Sequence, residues 1–530
     1  MPNAHAQTPI GVWILPDQLI APAEHPALRA ALEAAQGRKD RISVVLVESR
    51  RHAKALPYHK KRLAFILACG RHFAEELRRD GWQVDVLSAE RFAVGLREHW
   101  AIRKWSSLFL MKAAEAPTAE LQQKLADRST AVPFRFLPNA QFRWLETAFS
   151  KPNAKNVVME TFYRTMRKHF RLLIEADGSP TGGQWNFDAD NRKPLPKDKD
   201  FPSIPRFEPD ALTSQVMAEV EAEYPESVGS TAGFDMPVTR AQAEEAFADF
   251  LASRLADFGP YEDAMSRTSG TLWHSMMSPA MNLGLLDGLA MCRQAEQRYH
   301  DGLAPLASVE GFIRQIIGWR EYVHWQYVRQ MPNLRHANGW NHTRPTPQFW
   351  WDGRTDMACM STVLGRLLAT AMNHHIERLM LLCNFAMLAG IAPESVANWF
   401  LTWYADSHDW VVLPNVIGMG LNADGGKTAT KPYIASAAYV DKMSDFCPAC
   451  RFDRKKRTGE NACPFNTLYW NFLIRHETKL RANPRMGPNV LGLRHLKPDE
   501  REAVVRDADA FLKSLVPYDD PILQPDTDAD

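Results

Sequence analysis

Residues 8–19 read TPIGVWILPDQL, a short aliphatic run that stops at a proline and an acid. The apolar core of that run, Gly11–Leu15, has the length and β-branched content of a buried strand. Similar runs follow at Ile42–Glu48, Gln83–Leu87, Ser107–Met111 and Phe134–Leu137. Between the second and third, Leu63, Ile66, Phe73 and Leu77 fall on roughly one face of a helix. Strands alternating with helices predict an α/β domain with a doubly wound parallel sheet over residues 1–145. The turn ILPDQL contains no G-x-G-x-x-G, so this sheet carries no dinucleotide fingerprint.

Downstream the pattern changes twice. Residues 146–237 include DGSPTGGQWNFDADNRKPLPKDKDFPSIPRFEP, rich in Pro, Gly, Asp and Lys, and are expected to form a long connector. From 238 to 515 apolar residues recur at helical spacing almost throughout, predicting an all-α domain. The acidic end, 516–530, reads as a disordered tail.

The 530 residues are 45% hydrophobic and 24% charged, with a formal net charge of +1. That balance excludes a histone-like or tail-driven nucleic-acid binder, but not a local basic face. No charged leader precedes the first apolar run, and that run is too short to cross a bilayer, so the expected location is the cytoplasm. There, the seven cysteines are more readily metal ligands or buried thiols than disulfides. Nothing demands more than a monomer.

Cys447, Cys450 and Cys463 form C-x2-C-x12-C, which can grip one metal centre from three sides. The spacing admits a cysteine-rich zinc site or a cubane cluster, each needing a fourth ligand. Cys359 is the remaining candidate, while Cys69, Cys292 and Cys383 lie on helix faces as plain thiols.

Several motifs, in order, carry a resemblance over essentially the whole chain: YHKKRLAFIL, TGGQWNFDADNR, VEGFIRQIIGWREYV, NHHIERLMLLCNFAMLAGI, WYADSHDWVVLPNVIGM, TKPYIASAAYVDKMSDFCPAC and NACPFNTLYWNF. With them the chain resembles the cryptochrome/photolyase family, in particular its bacterial iron–sulfur branch with (6-4) photolyase activity. The resemblance implies a photolyase-type FAD domain and a [4Fe-4S] cluster on Cys359, Cys447, Cys450 and Cys463. It implies FAD contacts from His274, Ser275 and the helix start after them, from Gln315, Trp319, Arg320 and Tyr322, and from Arg378 and Asp406 against the ring, with Asn384 and Asn415 beside it.

At the lesion end, the resemblance places His374 and His375 against the damaged bases, with His375 as proton donor. Such a donor is needed chemically, because repair moves a hydroxyl or amino group between pyrimidines and histidine titrates in the right range. Leu379 departs from the eukaryotic enzymes, which have a further histidine there. Tyr433 and Tyr439 match tyrosines near the lesion. Trp399 and Trp351 match electron carriers, while Phe400 stands where relatives commonly have tyrosine. Asp17 and Glu48, at strand ends, match the place where relatives hold a 6,7-dimethyl-8-ribityllumazine antenna.

UV-damaged DNA is the expected partner. Arg451, Arg454, Lys455, Lys456 and Arg457 would set its phosphates, continued by Arg475, Lys479, Arg481 and Arg485, with His342 and Arg344 at the rim. The expectation is light-driven (6-4) repair. The alternatives are a blue-light photoreceptor with the same cofactors and no repair, and a zinc-stabilised nucleic-acid-binding module.

Overall fold

The computed structural model describes residues 9–149, 157–196 and 200–522. Five parallel strands, β1 (Ile10–Ile14), β2 (Ile42–Ser49), β3 (Gln83–Ala89), β4 (Leu108–Met111) and β5 (Phe134–Leu137), form one sheet in the order β3-β2-β1-β4-β5. The order reverses at β1, between β2 and β4, so the carboxyl ends of these strands open a crevice there. Alternate residues serve two cores. Val12, Ile14, Val44 and Leu46 join a core that runs on into the helical part, whereas Trp13, Leu15, Val45 and Val47 pack under the helices Phe92–Arg103 and Ala116–Arg128.

The helix Lys60–Arg79 buries Leu63, Phe73 and Leu77 as its spacing predicts, with Ile66 half-buried beside them. The segment expected as a connector is more than a surface crossing. Met159–Phe170 buries Phe162, Tyr163 and Met166, and Ala211–Glu223 packs on Lys60–Arg79. Its polar stretches bridge these docked helices. From Arg240 onward the described chain is built of helices joined by loops, with no further strand.

Three segments of that part, Arg314–Arg320, Glu377–Cys383 and Pro414–Gly420, are wound as π-helix. Such turns bond i to i+5 and collect at functional sites because the extra residue shifts which side chains share a face. All three border the same cavity.

The expected tail is ordered as far as it is described. Pro517 pairs with Pro347 as an antiparallel bridge, and Tyr518 N–H donates to Thr346 O at 2.9 Å. Its amides are spent on another strand-like segment, which fixes residues that composition alone reads as free. Residues 523–530 lie outside the described residues. Among the described residues, no helix is long and apolar enough to cross a membrane.

Candidate active site

A cavity of about 430 Å³ opens in the helical part, within the range of small-molecule sites. Its wall takes His274 and Ser275 from the loop before Ser278–Asn282, and Gln315, Trp319 and Arg320 from the first π-turn. Arg378, from the second π-turn, and Asn415, from the third, complete it with His374, His375 and Asp406. The wide turns explain two departures from the expected contact set. In an α-helix Tyr322 would share a face with Gln315; the inserted residue gives that place to Val323. Tyr322 instead points its hydroxyl at the carbonyls of Val157, Lys427 and Thr428. Likewise Cys383, five residues after Arg378, lines the cavity, while Asn384 exchanges both amide bonds with Ala435 at 2.9 and 3.0 Å.

Arg378 and Asp406 form the electrostatic centre. Two guanidinium N–H groups donate to the carboxylate at 2.9 and 3.0 Å, and Ser278 Oγ donates to it at 2.6 Å. Burial alone would raise the Asp406 carboxyl, but the Arg378 charge and these bonds outweigh it and hold it below the usual range. Arg378 also lies 4.0 Å over the Tyr404 ring, whose hydroxyl donates to Asn373 Oδ1.

The histidines are held neutral. His274 and His374 stack at 4.3 Å, and burial pushes the first down to about 3 and the second well below its ordinary value. His375 is exposed where it lines the open cavity. Desolvation by the surrounding protein and the Arg378 charge bring it down to about 4. Glu262 lines the same wall and is pushed up to about 8 by burial, so it is a protonated acid near neutrality. Sequence reading missed it, since nothing in LADFGPYEDAM marks a buried carboxyl. Tyr433 lines the cavity with Asp188, Arg192 and Asp263; Tyr439 stands behind, its hydroxyl 3.4 Å from Asp263.

Several buried polar atoms on this wall have no hydrogen-bond partner among the described residues: His274 Nε2, His374 Nδ1, Arg320 Nε and Arg314 Nη2. Such groups are costly unless a ligand or water meets them. Cationic, hydrogen-bond-donating and aromatic groups around one deep space fit a flavin dinucleotide.

Trp399 does not touch the cavity; Phe400 does, with its ring 5.3 Å from Trp399. Trp403 lies 6.2 Å from Trp399 and 5.9 Å from Trp351, linking the two expected carriers. Its spacing of four from Trp399 on the helix Pro393–Trp403 was a usable signal.

A second cavity, about 350 Å³, occupies the sheet crevice and is lined by both Asp17 and Glu48. Burial pushes Asp17 up to about 6. Glu48 is paired with Arg71 at 2.8 and 3.0 Å, and Glu115, after β4, lies 3.6 Å from His408. Tyr58, Tyr224 and Thr118 add hydroxyls to the wall.

Cys359, Cys447, Cys450 and Cys463 all line one small cavity, whose remaining wall includes Met357, Phe446 and Phe465. Cys359 starts the helix Ala358–Thr370, and Cys463 caps Pro464–Arg475. Among the described residues no three His, Cys, Asp or Glu side chains converge closely enough to hold a single metal ion. Four thiols spaced around a common hollow are a donor set suited to a multi-iron cluster.

Much of the expected basic face is paired with neighbouring acids and carbonyls at the surface. Arg451 pairs with Asp356, Arg454 with Asp441, Arg457 with Glu500, and Arg481 with Glu477. Arg475 donates to Leu388 O, and Lys479 binds Gly339 O while covering Trp340. His342 is 5% exposed and packs against Trp340 and Phe472, so it is no rim residue, and Arg344 bridges to Ile391. The charges felt at Tyr433 are instead those of Arg485 and Arg192.

A two-domain flavoprotein with an α/β sheet crevice and a helical cofactor cavity is the architecture of light-driven repair enzymes and their photoreceptor relatives. Residues 12–236 match the family model of deoxyribodipyrimidine photo-lyase-related proteins. Over 528 residues, 95% of this chain and 99% of the relative, the sequence is 40% identical to the (6-4) photolyase of Agrobacterium fabrum. The fold is similar to a bacterial class III photolyase from Agrobacterium tumefaciens, at a TM-score of 0.57 and 14% identity, covering 99% of this chain and 96% of that one. It is also similar to a cryptochrome from Synechocystis sp. PCC6803, at a TM-score of 0.55 and 14% identity, covering 79% and 84%. The chain belongs to the cryptochrome/photolyase family.

Proposed function

We propose that this protein is a (6-4) DNA photolyase, which uses light to restore (6-4) photoproducts in DNA to the original pyrimidines. One observation carries the reading: the Arg378–Asp406 pair and the His374–His375 pair share one cavity wall, so the same space meets a redox cofactor and a substrate needing a proton. The near full-length similarity to a (6-4) photolyase supports it.

FAD, when bound, supplies a light-excited electron donor. Gln315, Trp319, Arg320, His274 and Ser275 would hold it, with Arg378 placing positive charge beside its ring. Asp406 fixes that guanidinium and limits its net charge. His375 faces the open side, where a flipped-out base would arrive. Arg378 and the surrounding protein favour its neutral form, which can donate a hydrogen bond to the lesion, and the negative charge of DNA phosphates would favour its protonated form. Tyr433 offers a ring for stacking and a hydroxyl at the rim, and Arg192 and Arg485 set nearby phosphates.

The four cysteines are assigned to a [4Fe-4S] cluster that staples the helix Ala358–Thr370 to the C-terminal segment. The crevice cavity is assigned to a 6,7-dimethyl-8-ribityllumazine antenna, with Asp17, Thr118 and Tyr58 offering hydrogen bonds. Binding of the flavin-loaded protein to matched duplexes, with and without one (6-4) lesion, tests the reading. Tighter binding to the damaged duplex is expected, and equal binding would return the protein to the photoreceptor alternative.

A further inference from the structure

We propose that Tyr518, carried on the C-terminal strap, is the terminal electron donor of the aromatic chain that leads to the cofactor cavity. This rests on the flavin reading above and adds a residue to it. The chain of rings is continuous: Trp399 to Trp403 at 6.2 Å, Trp403 to Trp351 at 5.9 Å, and Trp351 to Tyr518 at 4.2 Å, the last two rings inclined by only 15°.

The strap determines which ring meets solvent. Trp351 is 7% exposed, whereas Tyr518 is only half-buried, so an oxidising equivalent moving outward reaches water at Tyr518. Backbone bonds hold the stack: Tyr518 N–H donates to Thr346 O at 2.9 Å, and Gln348 N–H to Val516 O at 2.8 Å. Polar groups complete it. Trp351 Nε1–H donates to Thr346 Oγ1 at 3.1 Å, and that hydroxyl donates to the Asp520 carboxylate on the same strap. A negative charge one hydroxyl away stabilises a positive charge on the Trp351 ring while it waits for an electron. By contrast, the indole N–H groups of Trp399 and Trp403 have no hydrogen-bond partner among the described residues, so neither can readily shed a proton when oxidised. The oxidised state therefore passes through them as a cation.

The balance is one electron and one proton. Oxidised flavin, when bound and excited by light, would supply the oxidant, and Trp399 would give up one electron to it. The vacancy is filled in turn from Trp403, Trp351 and Tyr518. Tyr518 loses its phenolic proton to water as it loses the electron, leaving a neutral phenoxyl radical. A small thiol in solution restores the phenol by giving back a hydrogen atom.

The test is time-resolved absorption and electron paramagnetic resonance of the full-length, flavin-loaded protein after a light flash, without DNA. The wild type is expected to end in a tyrosyl radical. Tyr518→Phe keeps the ring, the stack and the backbone bonds, and is expected to lose that signal and end in a tryptophanyl radical that recombines faster. Tyr518→Trp is expected to restore a long-lived radical, now indolic. A Tyr518→Phe protein with the wild-type late radical would overturn the proposal, as would a wild type that never forms a tyrosyl radical. Repair by wild-type protein reduced beforehand with dithionite separates the two readings: its absence counts against photolyase activity and leaves the radical experiment interpretable.

Discussion

Asp406→Asn isolates the electrostatic centre of the cavity. The substitution is nearly isosteric, and the remaining amide oxygen can still accept from Ser278 or from one Arg378 N–H. What disappears is the negative charge facing a guanidinium whose side chain is 19% exposed, from a carboxylate that is 8% exposed. Removing one partner of a buried pair typically costs about 3–5 kcal/mol, because the other charge stays behind uncompensated. Arg378 borders an open cavity, which relieves part of that penalty, so a loss of about 3 kcal/mol is expected for the flavin-free chain. Urea denaturation of wild type and variant measures it directly. The pH dependence follows from the sign of the shift. A carboxyl held below its ordinary value contributes stability that is present above pH about 3.8 and is lost only as the pH falls through the lower folded value. The difference between wild type and variant should therefore be constant from neutrality down to about pH 5. In the flavin-loaded protein, the unbalanced Arg378 charge should raise the flavin reduction potential. A stability loss below about 1 kcal/mol, the size of an exposed pair, would refute the placement of this pair as a buried one.

His375→Ala is expected to keep flavin binding and photoreduction while (6-4) repair falls by about 10²–10⁴-fold, the usual worth of a general acid, measured by chromatography of the repaired oligonucleotide. His25 caps the helix Pro26–Ala34 through Nδ1 and is held down to about 4 by burial, so its native form is neutral. Stability then falls as the pH drops below its unfolded value near 6.5, and His25→Asn, which keeps an acceptor at the cap, should lose about 2 kcal/mol less than wild type between about pH 7 and pH 5 in urea titrations. Cys463→Ala is expected to abolish the broad visible absorption of an iron–sulfur cluster and lower the melting temperature, since the link from the helix Ala358–Thr370 to the helix Pro464–Arg475 would be lost; unchanged iron content would exclude it as a ligand.

The α/β half was readable because sheet geometry has a simple period. The run at Ile42 was expected to end at Glu48 and ends at Ser49, and the alternation of Val44 and Leu46 with Val45 and Val47 sorts cleanly into two cores. Acids directly after aliphatic strands pointed to the crevice, and both Asp17 and Glu48 lie in it. The helical half was readable as helices but not as faces, because a π-turn shifts the register by one residue without any local signal. Tyr322 and Asn384 were lost to it, and Val323 and Cys383 took their places. The basic cluster around Arg451 shows a different gap: sequence counts charges but does not show that Asp356, Asp441 and Glu500 pair with three of them at the surface. The strap at Tyr518 was hidden by its composition, since its order comes from pairing with residues 346–348, far away in the chain.

The most direct test is illumination of the purified, flavin-loaded and reduced protein with an oligonucleotide carrying one (6-4) photoproduct, followed by chromatography for the two restored thymines. Restoration that needs light is the predicted result. No restoration, with flavin demonstrably bound and photoreducible, would contradict the assignment and leave a photoreceptor in its place.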